Sequence, residues 1–365
     1  MFGNLVHSFL DMKWKLYSKF ETDLHELRYL FWETTRECNL SCLHCGSDCS
    51  ADPEIKGVET EKIKSVFYEI AQRWDPRGIM LVVTGGEPLV RKDLFEVLGY
   101  ASQLGYRTGM VTNGYILNKK AAIKIIQTGI SSIVVSLDGP EAIHDWLRNR
   151  KGSYKRAVDA LSFLTEQKIP VVEAITCVTP RSLEHMEETY EIVKNSGAKY
   201  WRVFNIFPSG RAALNREVLL SEDEFRILVE KMIKLQLRGK EENVVVNLSE
   251  EGWLGWEYEK QLRDTPYFCR AGINISGIMA DGSISACPNL PEWMSQGNIN
   301  TDSFVTVWEN RYEIFRNREW LRTGICKDCN QFSVCQGNSL HIRDTEKNEP
   351  VWCHYKILHP QNKTT

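Results

Sequence analysis

The 365-residue chain has no window of eighteen uninterrupted apolar residues, which excludes a spanning helix. It has little net charge: 45 Lys and Arg stand against 48 Asp and Glu, a balance of −3 that supplies no global pull towards nucleic acid or anionic lipid. It also lacks low-complexity tracts and any internal repeat beyond the alternation described below. The N-terminus shows no basic stretch followed by an apolar core and a small-residue cleavage site, so a cytoplasmic, reducing environment is expected. With 42% hydrophobic, 25% charged and 10% aromatic residues the composition excludes a largely disordered chain. At about 150 residues per domain, the length asks for roughly two domains without disulfide staples.

Cysteine is what the chain has in excess. There are eleven, an odd number. Clustered thiols in a reducing compartment read as soft-metal ligands rather than disulfides. Ten fall in two groups: Cys38, Cys42, Cys45 and Cys49, then Cys269, Cys287, Cys326, Cys329, Cys335 and Cys353. Cys177, at an apolar strand end, reads as a core thiol, and Cys49 as a structural or incidental one.

Between the groups, short β-branched or aromatic runs alternate with helix-length amphipathic segments. Strands are predicted to begin near Tyr29, Ile79, Thr108, Ser132, Val171 and Tyr200, with helical spacing over 60–74, 92–104 and 182–196. Six βα units predict an α/β fold built on a parallel barrel or part of one, with functional groups at the C-terminal ends of the strands. From Ser221 the rhythm breaks into a helix reaching about Arg238, a charged turn and a Trp-rich piece with Trp253, Trp256 and Tyr258. Short strand signals follow near Gly277 and Gly282, then Cys-rich loops and a polar tail. The expected divisions are an N-terminal helical segment (1–28), a partial barrel (29–220), a helical bridge (221–268) and a small Cys-rich domain (269–365). In the first segment Phe2, Leu5, Val6, Phe9, Leu10 and Trp14 predict a helix packed on the barrel, with a membrane-surface helix as the alternative.

Cys38, Cys42 and Cys45 form C-x3-C-x2-C directly after the first strand. Three thiolates can hold three irons of a 4Fe-4S cube and leave the fourth open to a small molecule. A zinc site with His44 or Cys49 as fourth ligand is the alternative. The second strand ends in Thr84-Gly85-Gly86-Glu87-Pro88, where glycines let backbone approach a ligand. The third ends in Thr112-Asn113-Gly114 and the fourth in Ser136-Leu137-Asp138-Gly139.

In this order, over about residues 29–211, these motifs resemble the radical S-adenosylmethionine (SAM) enzymes. The resemblance implies a partial barrel of six βα units and a cluster held by Cys38, Cys42 and Cys45. It implies reductive cleavage of SAM to methionine and a 5′-deoxyadenosyl radical that takes a hydrogen atom from substrate. Gly85, Gly86 and Glu87 would receive the SAM amino group, Ser136 would meet the ribose or methionine end, and Asn113 would lie beside it. Arg148 would pair with the SAM carboxylate, since a guanidinium matches a carboxylate bidentately. His44 would pack near adenine.

The later spacing, Cys269-x12-Gly282-x4-Cys287, then Cys326-x2-Cys329-x5-Cys335 and Cys353, resembles the SPASM extension, which carries up to two auxiliary 4Fe-4S clusters. A structural zinc site is the alternative. The resemblance groups Cys326, Cys329, Cys335 and Cys353 around an outer cluster and assigns Cys269 and Cys287 to an inner one. Ser339 stands where that inner set has a further cysteine. The expected activity is radical modification of a peptide or protein by an oxidoreductase or maturase, fed by an electron donor such as a flavodoxin or ferredoxin. A small-molecule or RNA substrate is the alternative, the basic run 148–156 being the only hint of RNA, and a non-catalytic iron-sulfur or zinc carrier is the rival. Pro288 after Cys287 counts against formylglycine-type sulfatase maturation, and the general character resembles radical SAM proteins encoded beside small lipoproteins. With about 28 residues before the first strand, no N-terminal peptide-recognition domain is evident.

Overall fold

The computed structural model describes residues 2–360 apart from Lys168, Glu250, Glu251 and Thr345, and describes no side chain for residues 2–6. The expectations for Phe2, Leu5, Val6 and the tail 361–365 therefore lie outside the described side chains and residues.

Six strands, β1 (Tyr29–Glu33), β2 (Met80–Thr84), β3 (Arg107–Thr112), β4 (Ser132–Ser136), β5 (Val171–Val178) and β6 (Tyr200–Asn205), lie side by side in chain order, every pair parallel. Leu81, Val83, Ile133, Val135, Ala174 and Val203 share one face of the sheet and have no exposure, as expected of the face that the helices cover. Helices form on two of the predicted segments, Thr60–Arg73 and Leu94–Leu104, while the third is split into Pro180–Leu183 and Met186–Asn195. Thr60–Arg73 places Ile63, Val66, Phe67 and Ile70 on one buried face at helical spacing, and the Phe67 ring meets Trp32 of β1 edge-on at 5.7 Å. Glu222–Glu242 opens with a reciprocal capping box between Ser221 and Glu224. Parallel pairing brings the C-terminal ends of all six strands to one rim. The loops carrying the cysteines and the glycine and asparagine turns thereby meet.

The structure departs from the expected divisions in two places. A seventh parallel strand, β7 (Val245–Leu248), arises from the segment read as a bridge and pairs with β6, Tyr200 opposite Val245. Further on, β8 (Ile275–Ile278) pairs in parallel with β1, while β9 (Ser283–Ser285) and β10 (Gly297–Asn298) continue antiparallel. The result is one ten-stranded sheet in the order β10-β9-β8-β1-β2-β3-β4-β5-β6-β7. The Cys-rich region is thus sewn onto the first barrel strand by hydrogen bonds and does not hang from a linker.

The N-terminal helix, Phe2–Leu24, packs on the bridge segment and the Cys-rich region rather than on the barrel. Trp14 is buried with Trp253, Trp256, Phe268, Ile273 and Val334, and Trp256 Nε1 donates to Asp11 at 2.6 Å. Aromatic partners in the bridge segment attract the helix there. The opposite face leaves Phe9, Met12, Leu16 and Phe20 exposed. Among the described residues no helix is long and apolar enough to cross a membrane.

Candidate active site

Beyond β1 the chain turns at Thr34 and Thr35 and loops out to Ser50, where Cys38 N–H closes on Ser50 C=O at 2.7 Å. Cys38, Cys42 and Cys49 are buried in this loop with Leu40, and Cys45 and Tyr115 pack against them. The loop is pinned from two sides. Gly86 N–H donates to Thr35 C=O at 2.7 Å and Glu87 N–H to Glu37 C=O at 2.9 Å. A Cβ at Gly86 would lie 2.2 Å from the Glu37 oxygen, and Gly85, at φ +141°, would bring one within 2.6 Å of the Thr35 oxygen. The glycines are therefore required by the cysteine loop itself, whatever ligand approaches.

On the other side lies a clamp that sequence reasoning missed, the Ser209-Gly210-Arg211 turn after β6. Arg211 donates to Cys42 C=O at 2.8 Å, Cys49 C=O at 2.8 Å and Asp48 at 2.7 Å, and Gly210 sits so close that a Cβ would fall 2.5 Å from the Cys45 oxygen. A Gly-Arg pair just past a predicted strand end was the available signal.

Glu87 lies deeper than expected. It has no exposure, and its carboxylate accepts from Thr112 Oγ1 at 2.7 Å, Leu89 N–H at 3.1 Å and Asn113 N–H at 2.8 Å. Burial pushes the carboxyl up against the pull of those donors. The side chain thus ties the end of β2 to the end of β3. Asn113 points at the cysteines: Nδ2 lies 3.8 Å from Cys38 Sγ and 2.8 Å from Asn39 Oδ1. Ser136 ends β4 on the same rim, 7% exposed.

Arg148 also departs from expectation. Its Nε and Nη2 grip Asp138 at 2.5 and 3.0 Å, and Nη1 lies 3.9 Å from Cys42 Sγ. The Nε/Nη2 edge of the guanidinium is therefore taken by Asp138 in this structure. Although burial opposes the charge, Arg148 together with His144 and His44 holds the Asp138 carboxyl down at about 2. Burial pushes Cys38 up to about 11 and Cys42 upward as well, while a bond from the Cys49 thiol holds Cys45 down. His44, Asp138 and Cys177 bring ligand atoms within 4.8 Å of one another. His44 is thus placed beside Asp138 and Cys177.

The second cysteine group assembles at the far side of the sheet. Cys335 interacts electrostatically with Cys353, Cys326 and Cys329, and Cys353 with Cys326 and Cys329, so four thiols share one neighbourhood. Arg343 touches Cys326 and is itself fixed by Gly337 C=O at 2.8 Å and Leu321 C=O at 3.1 Å. Cys269, Cys287 and Ser339 line a separate cavity of about 320 Å³ with Tyr267, and the hydroxyls of Ser339 and Tyr267 are hydrogen-bonded. Between the two regions, a chamber of about 380 Å³ reaches from the cysteine loop to β9 and Pro288. Glu33, Arg36, Asp48, Asp281, His341 and Arg343 line it. Glu33, at the end of β1, accepts from Ala280 N–H at 2.9 Å, and burial pushes its carboxyl up.

The radical SAM superfamily model matches residues 32–193, and that of the SPASM iron-sulfur cluster-binding domain residues 269–330. The AdoMet-dependent heme synthase of Methanosarcina barkeri is 30% identical over 333 residues, covering 85% of this chain and 90% of that protein. The chain belongs to the radical SAM superfamily. Mycofactocin maturase MftC of Mycolicibacterium smegmatis is 29% identical over 346 residues, 89% of this chain and 81% of that protein. Streptococcus suis SuiB, solved with its precursor peptide SuiA, superposes with a TM-score of 0.68 at 16% identity over 91% of this chain and 76% of that one.

This radical SAM protein is an enzyme whose cofactors are SAM and 4Fe-4S clusters, including an auxiliary cluster in the SPASM region. The residues present fit that chemistry. Three soft thiols stand on one loop, and side-chain N–H groups face two of the sulfurs.

Proposed function

We propose that this radical SAM enzyme modifies a peptide or protein in a reducing cytoplasm, drawing electrons from a flavodoxin- or ferredoxin-type donor. Cys38, Cys42 and Cys45 hold the barrel cluster, and Cys326, Cys329, Cys335 and Cys353 the outer auxiliary one. The inner pair Cys269 and Cys287, opposite Ser339, is too few for a stable cube. When bound, the barrel cluster and SAM supply a 5′-deoxyadenosyl radical for hydrogen abstraction. The chain's own residues do the rest. Gly85, Gly86 and Glu87 offer backbone carbonyls to the SAM ammonium, and Ser136 a hydroxyl to its ribose or methionine end. Asn113 and Arg148 face the cluster thiolates. In domain terms the barrel spans 29–220, extended by 221–268, with the auxiliary region at 269–365.

The observation that carries the peptide reading is the lining of the chamber beside the cysteine loop. Carboxylates of Glu33, Asp48, Asp281 and Glu292 share that lining with Arg36, Arg343 and His341. Such mixed acceptors and donors suit backbone amides, an ammonium and polar side chains. A second reading, chemistry on an iron tetrapyrrole, draws on the 30% identity to the heme synthase. A substrate rich in carboxylates would, however, meet the four carboxylates of the chamber, Glu33, Asp48, Asp281 and Glu292. The test is anaerobic reconstitution with SAM and reductant, with 5′-deoxyadenosine measured against candidate precursor peptides and against iron coproporphyrin. A peptide should raise the product above the substrate-free rate and change in mass itself. Stimulation by the porphyrin alone would overturn the peptide reading.

A further inference from the structure

The pair Asp138–Arg148 is buried on all sides, Asp138 without exposure and Arg148 at 7%. An ion pair so placed is a poor device for stability, because desolvating both charges costs about as much as their attraction returns. Its geometry is specific, however. Asp138 holds the Nε/Nη2 edge of the guanidinium and is itself fixed by Cys177 N–H at 3.0 Å, and its own N–H donates to His144 Nδ1 at 3.1 Å. The opposite tip, Nη1, is the part of the fork turned to Cys42 Sγ, at 3.9 Å. The planar guanidinium therefore sets the carboxylate away from the sulfur and the positive end towards it. Asn113 makes a comparable approach to Cys38, but it is neutral and shares its N–H group with Asn39.

The geometry points to Arg148 raising the reduction potential of the barrel cluster through an N–H···S contact to the Cys42 thiolate, with Asp138 the positioning residue for that contact. The inference rests on Cys42 being a ligand of that cluster. Reduction adds one electron, delivered by the external low-potential donor, to a group already surrounded by thiolates. A fixed cation and a donor at sulfur stabilise that added charge more than they stabilise the oxidised form. No bond to SAM or substrate is involved, and the arginine acts before SAM is cleaved.

The test is an EPR-monitored redox titration of the reconstituted holoenzyme without SAM, following the signal that disappears when Cys38, Cys42 and Cys45 are replaced by Ala. If no signal disappears in that triple variant, the placement of the cluster is wrong and this inference falls with it. In the double variant Asp138→Asn/Arg148→Gln, which leaves no lone buried charge, the reduced-to-oxidised ratio of that signal at fixed ambient potential should fall about tenfold. For one electron that is a shift of about 59 mV to lower potential. The outer-cluster signal should stay in place. Arg148→Lys keeps the charge but loses the fork, and should lie between parent and double variant. A parent-like midpoint in an iron-loaded double variant overturns the inference, as does a loss of SAM affinity with the midpoint unmoved. Should the double variant bind no barrel iron, Arg148→Lys decides: a lowered midpoint supports the role and an unchanged one refutes it.

Discussion

Replacing Glu87 by Gln separates the role the structure gives this residue from the one its motif suggests. Gln preserves the volume, but its amide must turn an NH2 towards one of three inward donors. If Nε2 takes the place of Oε2 it faces Asn113 N–H, and if it replaces Oε1 it faces Leu89 N–H. Either orientation leaves one backbone donor without an acceptor in a site with no solvent, at about 1–3 kcal/mol. The remaining bonds change from charge-assisted to neutral, losing roughly half their strength. Relief from burying a carboxylate offsets part of this, since burial already pushes the Glu87 carboxyl up. The net expected cost is about 2–4 kcal/mol. Thr112→Val leaves the carboxylate its two backbone partners but also takes the acceptor of Gly114 N–H, for about 2 kcal/mol. Urea unfolding of the metal-free proteins under reducing conditions gives the comparison through the midpoints at constant slope. Barrel iron should also fall in Glu87→Gln, because Glu87 fixes the turn that aims Asn113 at Cys38. A midpoint equal to that of the parent, with SAM affinity alone reduced, would show that the carboxylate faces the ligand and that the inward pose is wrong.

Four further outcomes are expected. Alanine at Cys38, Cys42 and Cys45 together should abolish 5′-deoxyadenosine formation and leave the C-terminal iron bound. Parent protein should contain about eight irons per chain, taking four per cube, and Ser339→Cys should raise that figure; Mössbauer signals from three cubes in the parent would refute the two-cube count. Burial holds His144 down at about 4 against an ordinary 6.5, so it stays neutral in the fold while the unfolded chain takes up a proton between those values. The stability it contributes is full above about pH 6.5 and lost as pH falls towards 4, up to about 3 kcal/mol. Metal-free His144→Gln should show a flatter fall over that window, and equal slopes would contradict the linkage. Arg211→Lys loses the fork that laces Cys42, Asp48 and Cys49, so a chelator should strip barrel iron several-fold faster; an unchanged stripping rate would count against the clamp.

The β1 to β6 rhythm is legible in the sequence because short runs rich in β-branched and aromatic residues, set between helix-length amphipathic segments, are a local signal that five or six residues suffice to show. The cysteine spacings and the glycine and asparagine turns are equally local, and parallel pairing alone obliges them to meet at one rim. β7 is not legible, because its four residues alternate between exposed and buried and become a strand by pairing with β6. The attachment of β8 to β1 joins the two ends of the chain, and no local pattern encodes a partner so distant. Side-chain direction is the other thing that only the tertiary structure decides. Glu87 turns inward because donors on Thr112 and Asn113, 25 and 26 residues on, are buried beside it. Arg148 faces Asp138 and Cys42 because a buried guanidinium takes the nearest carboxylate that can satisfy its fork, and that choice depends on which loops the folded sheet brings together.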